Sequence, residues 1–247
     1  MKIGILGAGS IGSALARKLS AAGHDIQIAN SRGPHTIDPG IVASGARAVE
    51  ATDVITGIEA LVISVPLSSV PAIKALIADL PDEVAVIDTS NYYPLRDGQI
   101  QALDDGQVES VWVTEQLGRP VAKAWNAILA GSLETKGTEA ATPGRVAIPV
   151  AGDREVDKAV AMTLVEATGF DAVDAGSLGD SWRQQPGAPA YCTDLTRQEL
   201  AAALRAARKD RVPQRRDVAM ATITEKIEGG ATLTSDDLVE LNRSTYN

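Results

Sequence analysis

Apolar residues in this chain gather in short continuous runs, separated by stretches in which they recur every three or four positions. That pattern describes buried strands alternating with amphipathic helices. Lys2–Leu6 is one such run and ends at Gly7. In Ser10–Ala22, Ile11, Leu15 and Leu19 stand four apart with Ala14 and Ala22 beside them, a single helical stripe that Gly23 is placed to stop. Asp25–Ala29 reads as the second strand, and further strands are predicted at Ala46–Glu50, Ala60–Val65, Val84–Asp88, Val121–Trp125, Arg145–Val150 and Phe170–Asp174. Helices are predicted over about Ser69–Ala78 and after Asp153, where Val156, Val160 and Leu164 recur before Gly169. The alternation predicts an α/β chain of the Rossmann type: a doubly wound, mainly parallel sheet with helices on both faces.

Past Gly176 the pattern changes. Asp180–Pro189 is polar and rich in Gly and Pro, so it reads as a connector, with Trp182 inside it. Three helices are predicted beyond it. Thr196 and Glu199 have capping-box spacing, with Leu195 and Leu200 placed as a hydrophobic staple. Pro213 suits the first turn of a helix ending before Gly229-Gly230, and Ser235–Asn242 forms another. The expected organisation is a Rossmann domain over 1–180, with 181–247 as a connector and a small C-terminal helical segment packing on it or on a second subunit.

Composition adjusts this picture in two ways. Aromatic residues make up only 3% of the 247 residues, with a single Phe, so small aliphatic side chains must fill the core. The formal net charge of −9, with no basic stripe, argues against nucleic acid and anionic membranes as partners. Cys192 is the single cysteine, so no intrachain disulfide and no thiolate metal cluster is expected. No apolar run approaches the roughly 20 residues of a membrane helix. The chain opens directly on a strand-like segment without a targeting peptide, which predicts a cytoplasmic protein.

Gly7-Ala8-Gly9-Ser10-Ile11-Gly12 is G-x-G-x-x-G between a strand and a helix. The first glycine permits the tight turn and the second lets backbone amides approach a pyrophosphate. The third allows close helix–strand packing, and the helix N-terminus attracts the anion. Dinucleotides of the NAD type are usually held by an Asp or Glu about 20 residues further on. Here the second strand ends Ala29-Asn30-Ser31-Arg32-Gly33-Pro34-His35, with no carboxylate. Ser31 can donate to a 2′-phosphate and Arg32 can clamp it, so NADP(H) is expected over NAD(H). His35 stands beside that site and is a candidate for contact with the phosphate or the adenine.

These residues and those that follow resemble the NADP oxidoreductases that work with the deazaflavin coenzyme F420. The matching segments are Gly7–Gly12, Asn30-Ser31-Arg32, Ile63–Pro66, Val86–Tyr93, Val121–Asn126 and Asp174–Leu178, within about residues 1–182. From about Gln184 onward nothing matches the classical deazaflavin enzymes. The resemblance implies that Val65, Pro66 and Leu67, with Ser90 and Asn91, contact the cofactor, and that Asn126 sits near the nicotinamide. It also implies a homodimer and a small-molecule or coenzyme substrate.

A carbonyl reductase generally needs a proton donor beside the substrate oxygen. Of the two histidines, His24 lies in the turn before the second strand, and neither it nor His35 is placed to reach a nicotinamide. Lys123, Tyr92 and Tyr93 are the other candidates, with Lys123 read first as a buttress. Cys192 reads as a plain thiol. Trp182 and Tyr191 flank the Gln184–Pro189 stretch, either as a roof over the nicotinamide or as structural anchors. The missing acid suits hydride exchange between two stacked cofactor rings, for which the cofactors carry the chemistry. Two alternatives stay open: an NADPH-dependent reductase of a small carbonyl or imine, and a non-catalytic NADPH-binding regulatory module.

Overall fold

The computed structural model describes residues 1–246. Its eight strands are β1 (Lys2–Leu6), β2 (Asp25–Ala29), β3 (Arg47–Ala48), β4 (Ala60–Ile63), β5 (Ala85–Asp88), β6 (Ala122–Lys123), β7 (Ala147–Gly152) and β8 (Asp171–Asp174). They form one sheet in the order β3-β2-β1-β4-β5-β6-β7-β8, parallel except where β6 meets β7. The strand order reverses direction between β1 and β4, which opens a crevice beyond their carboxyl ends.

Side chains alternate across the pleat. Ile3, Ile5, Ile26, Ile28, Val62 and Ile87 enter one core layer, packed on α1 (Ser10–Ala21) and, further along the sheet, α8 (Glu155–Ala167). Leu6, Leu61, Ile63 and Val86 enter the other, against α3 (Val70–Ile73) and α6 (Glu109–Leu117). The remaining short helices are α2 (Pro39–Ala43), α4 (Pro94–Asp97), α5 (Gln101–Asp104) and α7 (Ala130–Thr135). The C-terminal helices are α9 (Arg197–Ala206), α10 (Val212–Glu228) and α11 (Ser235–Tyr246).

Several elements depart from the sequence pattern. The strand expected at Ala46–Glu50 is reduced to Arg47–Ala48, and that at Val121–Trp125 to Ala122–Lys123, because Trp125 turns left-handed at φ 55°. The helix expected over Ser69–Ala78 holds α-helical form only through Ile73. In α8 the buried stripe is Asp157, Lys158, Ala161, Leu164 and Val165, while Val156 faces solvent. Lys158 is tolerated there because its Nζ reaches out to Glu155 and Asp174. The largest difference is the stretch read as a polar connector. Leu178–Gln184 is a 3-10 helix, and Gln184 to Thr193 runs entirely buried between the sheet and the C-terminal helices. Its Gly and Pro residues serve close packing: a Cβ on Gly187 would lie 2.0 Å from the Val212 carbonyl oxygen. The capping box at Thr196 and Glu199 forms, and Pro213 sits in the first turn of α10.

Candidate active site

The glycine loop lies in the crevice between β1 and β4, and its glycines serve different ends. Gly7 has φ 108°, and a Cβ there would lie 2.0 Å from the Ser64 carbonyl oxygen. A Cβ on Gly12 would lie 1.9 Å from the Gly7 carbonyl oxygen. Both positions are closed to side chains by backbone. Gly9 has nothing within 4 Å of its Cβ position, so open space lies above it. Gly9 is also the N-cap of α1, and no side chain caps that helix. Its first-turn N–H groups are left to an outside acceptor, which is the arrangement a pyrophosphate requires.

Two cavities meet over this loop. One of about 770 Å³ runs from Gly7, Ala8 and Gly9 past Asn30, Ser31 and Arg32 to Ala72 and Leu76. The second, about 290 Å³, runs from Gly9, Ser10 and Ile11 past Ser90, Asn91 and Asn126 to Tyr191 and Cys192. Gly9, Ser64, Val65 and Pro66 line both, so the two are ends of one trough. At the larger end the Asn30 side chain accepts from the Arg32 N–H at 2.9 Å and donates to Thr36 Oγ1 at 2.9 Å, fixing the turn. The Arg32 side chain is exposed and makes no ion pair among the described residues. No carboxylate lines this end. These features fit a dinucleotide bearing a 2′-phosphate.

At the smaller end the floor is built from buried polar pairs. Lys123 Nζ donates to Asp88 Oδ2 at 2.7 Å and to the Ser90 carbonyl, and the Ser90 N–H donates to Asp88 Oδ1 at 3.0 Å. Asn126 Nδ2 donates to Asn91 Oδ1 at 3.0 Å and to the Gln184 carbonyl at 2.8 Å. Asn126 Oδ1 accepts from Gln184 Nε2 at 2.9 Å, and Asn91 Nδ2 donates to the Asn126 carbonyl at 2.9 Å. The strand-end loops and the buried 184–193 segment are thus one hydrogen-bonded unit. Trp125 and Cys192, both lining this end, hold left-handed backbone at φ 55° and 52°. Non-glycine residues keep such conformations only where surrounding structure enforces them, and they concentrate at functional sites. The Tyr93 and Tyr191 hydroxyls meet at 2.7 Å on the wall, and burial pushes both phenols and the Cys192 thiol well up. Arg96 also lines the wall, but Asp97 holds its guanidinium at 2.8 Å.

Of the residues expected from the sequence, Gly7, Ala8, Gly9, Ser10, Ile11, Asn30, Ser31, Arg32, Val65, Pro66, Ser90, Asn91 and Asn126 line the trough. Gly12 lies just beneath it. Leu67 is fully buried in the core, and His35 is exposed outside both cavities, its ring 3.2 Å from the Gly33 Cβ position. Lys123 is wholly enclosed below the floor, and Tyr92 bonds Asp104 behind it. Tyr191 lines the smaller end, whereas Trp182 faces a different cavity. Thr89, Arg96, Trp125, Ile128, Leu129 and Ala130 also line it and went unnoticed in sequence. Only the proximity of Trp125 to Asn126 could have signalled any of them.

Comparison with known proteins agrees with this geometry. Residues 2–92 match the family model of NADP oxidoreductase, coenzyme F420-dependent. The Escherichia coli (strain K12) protein YjhV is 41% identical over 101 residues, which are 41% of this chain and 72% of that protein. The crystal structure of hypothetical protein SMa0349 from Sinorhizobium meliloti is similar with a TM-score of 0.67 at 27% identity, over 79% of this chain and 95% of that one. That of a protein provisionally described as an F420-dependent NADP reductase, from Arthrobacter sp. FB24, gives a TM-score of 0.59 at 23% identity, over 72% and 86%. A Rossmann sheet and a family match of this kind define an NADP-dependent oxidoreductase. The chain belongs to the coenzyme F420-dependent NADP oxidoreductase family.

Proposed function

We propose that the chain transfers hydride between NADP(H) and a planar acceptor of the deazaflavin type. The carrying observation is the make-up of the smaller end of the trough: it is open to solvent, and the titratable groups on its wall, Tyr93, Tyr191 and Cys192, are held neutral by burial. Its one cation, Arg96, is neutralised by Asp97. No His, Lys or carboxylate faces that space. Such a slot can hold two flat rings in register, which is the main demand of ring-to-ring hydride exchange.

In this reading Gly7 to Gly12 receive the pyrophosphate, and Ser31 and Arg32 take the 2′-phosphate with His35 at the rim. Val65 and Pro66, backed by Leu67, contact the ribose, and Ser90, Asn91 and Asn126 orient the nicotinamide, which supplies or receives the hydride. Residues 1–180 form the cofactor-binding body. Residues 181–247 close its nicotinamide end through Tyr191 and Cys192. The test is to mix the protein with NADPH and oxidised F420 and follow the deazaflavin absorbance. Turnover supports the reading. No F420 reduction, with turnover of a carbonyl or imine panel, overturns it. That second reading draws on one observation, the Tyr93–Tyr191 hydroxyl pair, which could protonate a small substrate.

A further inference from the structure

A separate cavity of about 100 Å³ lies between α6, α10 and residues 182–186, and none of its lining residues lines the trough. Its polar groups are not satisfied by the protein. Gln185 is 8% exposed and its Nε2 has no acceptor among the described residues. Glu109 is 5% exposed and its Oε2 has no donor. Arg216, whose side chain is 11% exposed, bonds through Nε to Asp217 Oδ1 at 2.8 Å and lies over the Tyr92 ring at 5.4 Å, with no hydrogen-bond acceptor for its Nη groups among the described residues. Lys209, exposed, lines the same cavity. Buried polar groups in native proteins are almost always paired, so the orphaned Gln185 amide, with the Arg216 Nη groups on the same space, points to a resident acceptor. The apolar part of the wall comes from Tyr92, Trp182, Leu103, Pro186, Val212 and Pro213.

We infer that this cavity is a second ligand site that takes a small monocarboxylate. Arg216, Gln185 and Glu109 hold its carboxylate, and its short apolar tail lies against Tyr92 and Trp182. Among the lining residues Lys209 and Arg216 stand against the one carboxyl of Glu109, while Asp217, outside the lining, engages Arg216 through Nε alone. The space admits a few heavy atoms rather than a nucleotide. For Glu109 to share the site with an anion it must carry a proton and donate it. Burial raises its carboxyl to about 7, with Lys123, the Tyr92 backbone N–H and Arg216 opposing and Asp88 assisting. Tyr93 also feels Glu109, and Lys209 lines the same cavity. Anion uptake is therefore coupled to proton uptake at Glu109. Tyr92 and Gln185 line this cavity while their chain neighbours Tyr93 and Gln184 belong to the wall and floor of the nicotinamide end. An occupant here sits directly behind that wall.

The test is calorimetric titration of the full chain with propionate and with its neutral isostere propionamide, at pH 6 and pH 8. No NADP(H) or deazaflavin is present, so the result is independent of the reading of the trough. Propionate is expected to bind saturably at pH 6, about tenfold or more tighter than propionamide. Its affinity should fall about tenfold by pH 8, as Glu109 loses its proton. Glu109→Gln should retain the pH 6 affinity and abolish the pH dependence, and Arg216→Gln should weaken binding at both pH values. The proposal is overturned if propionate gives no saturable heat, the cavity then holding water alone. It is equally overturned if propionamide binds as tightly, or if the pH dependence survives Glu109→Gln.

Discussion

Lys123 Nζ lies 2.7 Å from Asp88 Oδ2, with both side chains fully shielded from solvent. The same ammonium holds the Ser90 carbonyl and the same carboxylate holds the Ser90 N–H, so this pair fixes the loop that floors the smaller end of the trough. Removing one partner of a buried pair strands the other charge. Lys123→Met should cost roughly 3–5 kcal/mol of stability, and adding Asp88→Asn should return much of it. Denaturant unfolding of the single and double variants measures both. A single variant as stable as the parent would show that the pair is not structural.

The glycine loop separates stability from binding. Gly7→Ala meets a backbone carbonyl at 2.0 Å and an unfavourable φ, and should lose at least about 2 kcal/mol of stability. Gly9→Val has ordinary extended backbone and open space, so its stability should stay within about 0.5 kcal/mol. Its NADPH affinity should nevertheless fall about tenfold or more, because the methyls occupy the approach of the pyrophosphate. A Gly9→Val protein that binds NADPH normally would remove the pyrophosphate from this loop.

Much of this was legible in the chain, and what was not has identifiable causes. β1, α1 and β2 match the sequence pattern almost to the residue, because an apolar run, a helical stripe and stop glycines all agree there. At the trough's larger end Gly7–Gly9 and Asn30–Arg32 were legible because each is a short contiguous motif, whereas Ala51, Ala72 and Leu76, which also line it, carry no such signal. The smaller end is assembled from segments far apart in sequence, Ser90-Asn91, Trp125-Asn126 and Tyr191-Cys192, joined by Asn126 and Gln184. No local pattern reports such a convergence. The Asp180–Pro189 stretch looked like a connector because Gln, Gly and Pro usually face water. Here Gln184 is buried with its amide bonded to Asn126 Oδ1 at 2.9 Å, and the glycine lets a helix backbone approach. The helix α6 went unseen because its N-cap, Val108, offers no side-chain cap and it hides its polar Glu109 and Ser110 inside, although a left-handed Gly118 closes it.

Arg32 should set the cofactor choice. Its side chain is exposed and unpaired among the described residues, so its loss disturbs nothing else. A hydrogen bond to a charged group contributes roughly 1.5–3 kcal/mol, so Arg32→Ala should weaken NADPH binding about tenfold to a hundredfold. NADH binding should be unaffected. Fluorescence titration of both cofactors against both proteins decides it, and equal losses for NADPH and NADH would place the 2′-phosphate elsewhere.

The Tyr93–Tyr191 pair separates the two catalytic readings. If hydride passes between two rings, neither phenol is an obligatory donor. Tyr191→Phe should then leave kcat with F420 within about threefold, since only a wall hydroxyl is lost. If the substrate is a small carbonyl or imine, the same change should lower kcat about a hundredfold or more. Measuring the variant against both acceptor classes gives the answer directly.

Glu109 should make stability fall as pH rises. Its carboxyl is raised from 4.5 to about 7 in the folded chain, chiefly by burial. Between those values the folded state holds a proton that the unfolded state has released, so the unfolded state binds fewer protons and stability declines with increasing pH. Below the window both states are protonated and no penalty applies. Above it the full cost of a buried carboxylate is felt, on the order of 3 kcal/mol. Glu109→Gln keeps a neutral group of the same shape. It should match the parent near pH 5 and exceed it at pH 8, flattening the slope between. Denaturant unfolding across that range measures the slope, and a parent and variant with parallel pH profiles would show that Glu109 carries its charge throughout.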